Sequence, residues 1–90
     1  MTHVLLPTHL HDYTGGLRAA DFDLPAGSTL ADLLAAIDQR WPGLRFRIID
    51  EQDGVRRHIK IFVAGESVRD IGITLQSDAE VMIVAALSGG

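Results

Sequence analysis

Ser28-Thr29-Leu30-Ala31-Asp32-Leu33-Leu34-Ala35-Ala36-Ile37-Asp38-Gln39-Arg40-Trp41-Pro42-Gly43 decides the fold. Leu30, Leu33, Leu34, Ile37 and Trp41 recur at i, i+3, i+4, i+7 and i+11, the spacing of a helix with one apolar stripe. Ser28 or Thr29 can cap its start, and Asp32 in the first turn and Arg40 in the last complement the helix dipole. Pro42 disfavours helical geometry at Trp41, so the segment stops at Trp41-Pro42-Gly43. A helix with one such stripe must lie on another apolar surface. Each fully buried member contributes roughly 1.5–3 kcal/mol by transfer, enough for this helix to dominate a small core.

The segments on either side supply that surface as strands. Thr2 to Pro7 is rich in Val and Leu and is stopped by proline. His9 to Thr14 leads into Gly15-Gly16, a turn signal, which predicts a hairpin. In Leu17 to Leu24, Ala20, Phe22 and Leu24 share one parity, with Arg18, Asp21 and Asp23 among the polar positions between them; this pattern suits a half-buried strand. Pro25-Ala26-Gly27 ends it. After the helix, Leu44, Phe46, Ile48 and Ile49 fit neither period cleanly, and a short helical turn is expected over Leu44 to Glu51. Asp53-Gly54 marks a turn. Ile59, Ile61 and Val63 then face one way in a core strand, Ala64-Gly65 reverses the chain into Glu66-Ser67-Val68, and Val81 to Ala86 forms a last apolar strand. The order is β-β-α-β-β-β.

Bulk properties narrow the function. At 90 residues the chain is read as a single domain, with a globular part over 1–86 and a tail over 87–90. Its 47% hydrophobic and 22% charged residues are those of an ordinary globular protein. No apolar run approaches the roughly 18 residues of a membrane span, and the start lacks the basic region of a secretory signal, so a cytoplasmic location with no membrane partner is expected. The net charge of −4 and the absence of any Lys/Arg cluster larger than Arg56-Arg57-His58-Ile59-Lys60 argue against nucleic acid as a partner; that cluster reads as a solvated strand edge. The absence of Cys removes disulfides, thiolate metal sites and thiol nucleophiles together. No nucleophile and base stand at a recognisable spacing, so the domain is not read as an enzyme.

The chemistry then falls on the end of the chain, where the last strand runs into Leu87-Ser88-Gly89-Gly90. An early hairpin, one capped helix, a second hairpin and a last strand ending in Gly-Gly resemble the ubiquitin-like β-grasp fold, an α+β mixed sheet of about five strands on one main helix. Four stretches are similar to the MoaD/ThiS family of sulfur carriers: Tyr13-Thr14-Gly15-Gly16, Ser28 to Leu34, Trp41-Pro42-Gly43-Leu44, and Arg56 to Val63. The longer segment from Pro42 to Gly54 resembles the MoaD-like branch, which includes carriers serving cysteine or other sulfur pathways. Two positions depart from the pattern. Ser77-Asp78-Ala79-Glu80 replaces the Asp-Gly-Asp turn often found before the last strand, and Ala is poorly suited to positive φ. Ser88 stands where Ala or another small residue is expected.

The resemblance implies that a ubiquitin-activating-enzyme-like adenylyltransferase of the MoeB or ThiF type, using ATP, adenylates Gly90. A sulfur donor then displaces AMP and leaves a thiocarboxylate. The carrier itself is expected to bind no cofactor. Leu87, Ser88 and Gly89 would thread the partner's active site, and the sulfur acceptor would be a biosynthetic enzyme such as the MoaE-type large subunit in molybdopterin formation. The alternatives are a carrier for cysteine, thiamine or another sulfur metabolite, and an interaction module whose C-terminus is never activated.

Both parities of the last strand are apolar. Val81, Ile83 and Ala85 lie on one, with Met82, Val84 and Ala86 on the other. One face should meet the helix, and the other, joined by Phe62, is the expected docking surface: Phe62, Met82 and Val84. A competing possibility is a metal site built from His9 and His11, which share a face if extended and which His3 could join; no carboxylate or Cys ligand matches them, and no metal is expected.

Overall fold

The computed structural model describes residues 1–85. Thr2–Leu5 forms β1, Ala19–Phe22 β2, Leu30–Arg40 the long helix and Glu80–Ala85 the last strand. Between β1 and β2 the chain does not make the plain hairpin the glycine pair predicts. After Pro7 it winds through a 3-10 turn at Thr8–Leu10 and one helical turn, α1, at His11–Thr14. Two buried groups account for the difference: Leu10 plugs the end of the core, and the Thr14 hydroxyl donates to Leu17 O at 2.9 Å. Gly15 then ends α1 with a left-handed φ of 69°, so the glycine signal marks a helix exit rather than a hairpin turn.

The long helix, α2, is capped as its sequence predicts. Thr29 Oγ1 accepts from the Asp32 amide at 3.2 Å, and Asp32 Oδ2 accepts from the Thr29 amide at 2.9 Å, a reciprocal capping box. The Leu30 and Ala31 amides donate to Ile73 O at 2.9 Å and Ile71 O at 2.7 Å. The segment that precedes the last strand is thereby strapped across the helix start, where free N–H groups need acceptors. Leu30, Leu33, Leu34 and Ile37 are fully buried. Trp41 ends the stripe half-buried, meeting Phe22 edge-on at 6.1 Å between ring centroids.

The helix exit is held by Asp38, whose Oδ1 accepts from the amides of Gly43 at 3.0 Å and Arg45 at 3.2 Å. A short helix, α3, follows at Leu44–Ile48 and buries Leu44 and Ile48 against the core. Asp50 then organises a turn: its Oδ1 accepts from Gln52 N and Gly54 N, both at 2.9 Å. Those two donors favour the charged form and hold the Asp50 carboxyl below its ordinary range.

Ile59–Val63 forms β3 and Glu66–Val68 forms β4, while Glu80–Ala85 is β5. The sheet order is β2-β1-β5-β3-β4. Only β1 and β5, at the centre, run parallel, with Val4 opposite Val81; the outer pairs are antiparallel. Ala64 and Gly65, at φ 51° and 85°, form the two-residue turn between β3 and β4. Before β5 the positive φ, 61°, falls on Asp78. The expected conflict at Ala79 is thereby avoided, and its methyl is buried. Asp78 also accepts from the Met1 ammonium at 2.7 Å, which lowers its carboxyl below the usual range and raises the amino group.

Alternate residues of the sheet share a core with α2 and α3: Val4, Ala20, Phe22, Ile59, Ile61, Val81 and Ile83. At about 0.05–0.15 kcal/mol per residue, a chain of this size has roughly 5–13 kcal/mol of net stability. Leu34→Ala removes a fully buried side chain and should cost about 2–5 kcal/mol in urea unfolding. A loss under about 1 kcal/mol would show that the stripe is not the centre of the core. A second measurement addresses Asp50. Because its folded pKa lies below the unfolded value of about 3.9, its stabilisation is complete above that pH and disappears as pH falls through the folded value. Asp50→Ala should therefore lower the melting midpoint at neutral pH, and the gap to wild type should close in strong acid.

Candidate functional site

Strand register decides which side chains face away from α2. Leu5 on β1 pairs with Met82 on β5, and Met82 pairs with Phe62 on β3. Three apolar side chains therefore form a row across the middle of the sheet, with Val84 two residues farther along β5 opposite Lys60. Met82 is 37% exposed, and Leu5, Phe62 and Val84 are half-buried. Their in-sheet neighbours of opposite parity, Val4, Ile61, Val81 and Ile83, are buried on the helix side. The expected patch of Phe62, Met82 and Val84 thus lies together on the open face. Leu5 belongs with it and was missed, although its parity opposite the core residue Val4 carried the signal.

Two hollows flank the row. One, of about 550 Å³, runs between the Leu5–His9 segment and Met82–Ala85; the other, of about 240 Å³, lies among Phe62, Gly65, Glu80 and Met82. The rim is polar. Lys60 and Glu80 are exposed, and His3 Nδ1 lies 2.6 Å from Asp21 Oδ1. An apolar centre with a charged rim is what a reversible protein contact needs.

The same strand that carries Met82 and Val84 leads toward the end of the chain. Its last described residue, Ala85, pairs with Ile59, so the described end of β5 lies beside the turn that carries Arg57 and His58. That turn precedes β3, which begins at Ile59; Arg56, Arg57 and His58 are not the strand edge the sequence predicts. Leu87, Ser88, Gly89 and Gly90, the residues assigned to the tail and its chemistry, lie outside the described residues. His9 and His11 do not stand on an extended segment: one is in the 3-10 turn and the other begins α1, so a two-residue spacing no longer puts them on one face. His11 Nε2 donates to Leu6 O at 3.3 Å. Among the described residues no three His, Asp or Glu side chains converge as a metal site.

The model of the ThiS family matches residues 4–90, nearly the whole sequence. The chain belongs to the ThiS family. It has the ubiquitin-like β-grasp fold of that family of small sulfur carriers. A search of curated proteins returns no match. Among solved structures, the complex of BexX with CysO from Amycolatopsis orientalis contains a chain that superposes with a TM-score of 0.88 at 24% identity over 100% of both chains. CysO from Mycobacterium tuberculosis gives 0.84 at 24% identity, covering 97% of this chain and 100% of that one. A putative molybdopterin converting factor, subunit 1, from Pyrococcus furiosus gives 0.70 at 20% identity, covering 96% and 97%. At these identities the likeness establishes the fold.

Adjacent residues of β5 should respond oppositely to the same substitution. Met82→Lys places a cation on the open face and should change stability by less than about 0.5–1 kcal/mol. Ile83→Lys drives one into the core beside Ile61 and should cost several kcal/mol, enough to abolish a cooperative thermal transition. Equal effects would contradict the register.

Proposed function

We propose that this ThiS-family chain is a sulfur carrier that works through the carboxylate of Gly90. A carboxylate, with an ordinary pKa near 3.5, is a poor electrophile at neutral pH and must be activated. A partner adenylyltransferase of the MoeB or ThiF type binds and uses ATP. The Gly90 carboxylate attacks the α-phosphorus, pyrophosphate leaves, and a sulfur nucleophile then expels AMP to form the thiocarboxylate. Gly89 and Gly90 suit this route because a backbone without Cβ passes a narrow channel and reaches φ/ψ values closed to other residues. Leu87 to Gly90 extends roughly 13–14 Å, sufficient to enter a recessed active site.

The observation that carries the proposal is the family match through Gly90, joined to an apolar face that the single long helix leaves uncovered. Ordering about four tail residues costs on the order of 4–8 kcal/mol. Burying what remains exposed of Leu5, Phe62, Met82 and Val84 returns on the order of 1 kcal/mol each. The face therefore offsets only the lower end of the ordering cost, and other contacts must supply the rest.

For the recipient, the sequence resemblance favours molybdopterin formation, with this chain as the small subunit beside a MoaE-type enzyme. A cysteine-forming or other sulfur pathway is the second reading, favoured by the full-length superposition on CysO chains. Incubation with each recipient enzyme after sulfur loading separates the two by product.

The carrier step is tested by intact-mass analysis after incubation with a cognate activating enzyme, ATP and sulfide. The expected result is the mass change of one oxygen replaced by sulfur. Truncation before Gly89, or one Ala added after Gly90, should abolish it. Retention of the change in the truncated chain would overturn the assignment to Gly90. Binding to partners without any mass change would make the chain an inert interaction module.

A further inference from the structure

A separate cleft, of about 700 Å³, opens between the β1–β2 connection, α3 and the turn before β3. Its lining includes His9, Tyr13, Phe46, Arg47, Arg56 and His58, with Asp12 contributing a carboxylate. The guanidinium of Arg56 sits 4.5 Å from the ring centroid of Phe46, and that of Arg47 5.7 Å from the ring centroid of Tyr13. Phe46 is 53% exposed, so this stacking is a surface arrangement rather than core packing. Each guanidinium is also fixed through Nε: Arg56 Nε donates to Phe46 O at 2.6 Å, and Arg47 Nε donates to the Tyr13 hydroxyl. Neither arginine forms an ion pair among the described residues, and their terminal NH2 groups have no protein acceptor there.

We propose that this cleft receives the carboxylates of an acidic segment on the protein that takes hold of the C-terminal tail. Two guanidinium groups held at Nε and resting on rings are preorganised to bind planar oxyanions through their remaining donors. Each of the two rings already has a guanidinium over one face, which leaves less room for a flat base or cofactor to stack and favours a ligand recognised by its oxygen atoms. The charge contrast points to the same partner. The chain as a whole carries −4, yet this cleft holds two arginines against one aspartate. Its position ties it to the tail. His9 lines both this cleft and the sheet-face hollow beside Met82 and Val84, and His58 adjoins Ile59, the residue paired with Ala85. A protein covering the open face and the tail root lies next to the cleft, and carboxylates there supply contacts that the apolar row does not.

This inference rests on the carrier reading for the identity of the protein that holds the tail, and the test keeps the two apart. Isotope-labelled full-length chain is titrated at low and high sodium chloride with an alternating Asp-Glu tetrapeptide, its Asn-Gln counterpart and inorganic phosphate, while side-chain and amide resonances are followed. The acidic peptide should shift resonances of Arg47, Arg56, Phe46 and His58, weaken with salt, and bind about tenfold less tightly to Arg47→Gln or Arg56→Gln than to wild type. Arg57→Gln, adjacent but outside the cleft lining, should bind like wild type. Equal binding of the neutral peptide, tighter binding of phosphate, or no shift at the cleft overturns the proposal. In adenylation with the activating enzyme, Arg47→Gln should raise KM about tenfold with kcat unchanged. If wild type is not adenylated at all, the carrier reading fails while the titration still decides the cleft. If adenylation proceeds with an unchanged KM, the cleft proposal fails alone.

Discussion

One helix covers one face of a sheet, and β5 is apolar on both. That mismatch organises the molecule. Val81 and Ile83 lie in one buried core with Leu30, Leu33, Leu34 and Ile37 of α2 and Leu44 and Ile48 of α3. Once they do, the period of two in a strand forces Met82 and Val84 outward. The parallel pairing of β1 with β5 and the antiparallel pairing of β3 with β5 then give Met82 two apolar neighbours, Leu5 and Phe62, and make a row out of what would otherwise be isolated side chains. The exposed row is therefore a consequence of folding a two-faced strand with a single long helix. It also sits on β5, the last described strand, which the tail follows in sequence.

Much of the architecture could be read from residues because it depends on periodic patterns. The helix stripe, its Thr29 and Asp32 cap, the inward parity of Ala20 and Phe22, and the facing of Ile59 and Ile61 all follow from spacing, and the structure has each of them. The parts that were not legible are those built by single contacts. Thr8–Leu10 and His11–Thr14 are too short to show a helical period or to be stable alone; Leu10 in the core and the Thr14 hydroxyl hold them. The strap from Ile71 to Leu75 is held by its carbonyls accepting from Leu30 and Ala31 and by the Leu75 amide donating to Ser28 O. Backbone groups are the same at every residue, so this contact leaves no mark in the sequence. At the candidate site, alternation separated Met82 and Val84 from Val81 and Ile83 and Leu5 from Val4, but which parity of β5 faces out, and that Leu5 and Phe62 flank Met82, came only from the strand register.

The basic residues show the same limit from the electrostatic side. Composition shows net negative charge and one short basic run, which reads as a solvated edge. Folding starts β3 only at Ile59 and leaves Arg56 in the segment before it, while α3 presents Phe46 and Arg47 from ten and nine positions earlier in the chain. Tyr13 and His9 come from the loop that was expected to be a simple hairpin. Each residue is unremarkable at its own position, and only their convergence makes a cleft with two anchored guanidinium groups. Net charge governs long-range repulsion over the whole surface, but screening confines it to about 8–10 Å at physiological salt. Within that distance a partner carboxylate meets Arg47 and Arg56 before it meets the average charge of the molecule. Under the proposed docking, a chain of net negative charge is steered by local cation placement, with the apolar row fixing the orientation and the arginines favouring partners that bring acid to the cleft.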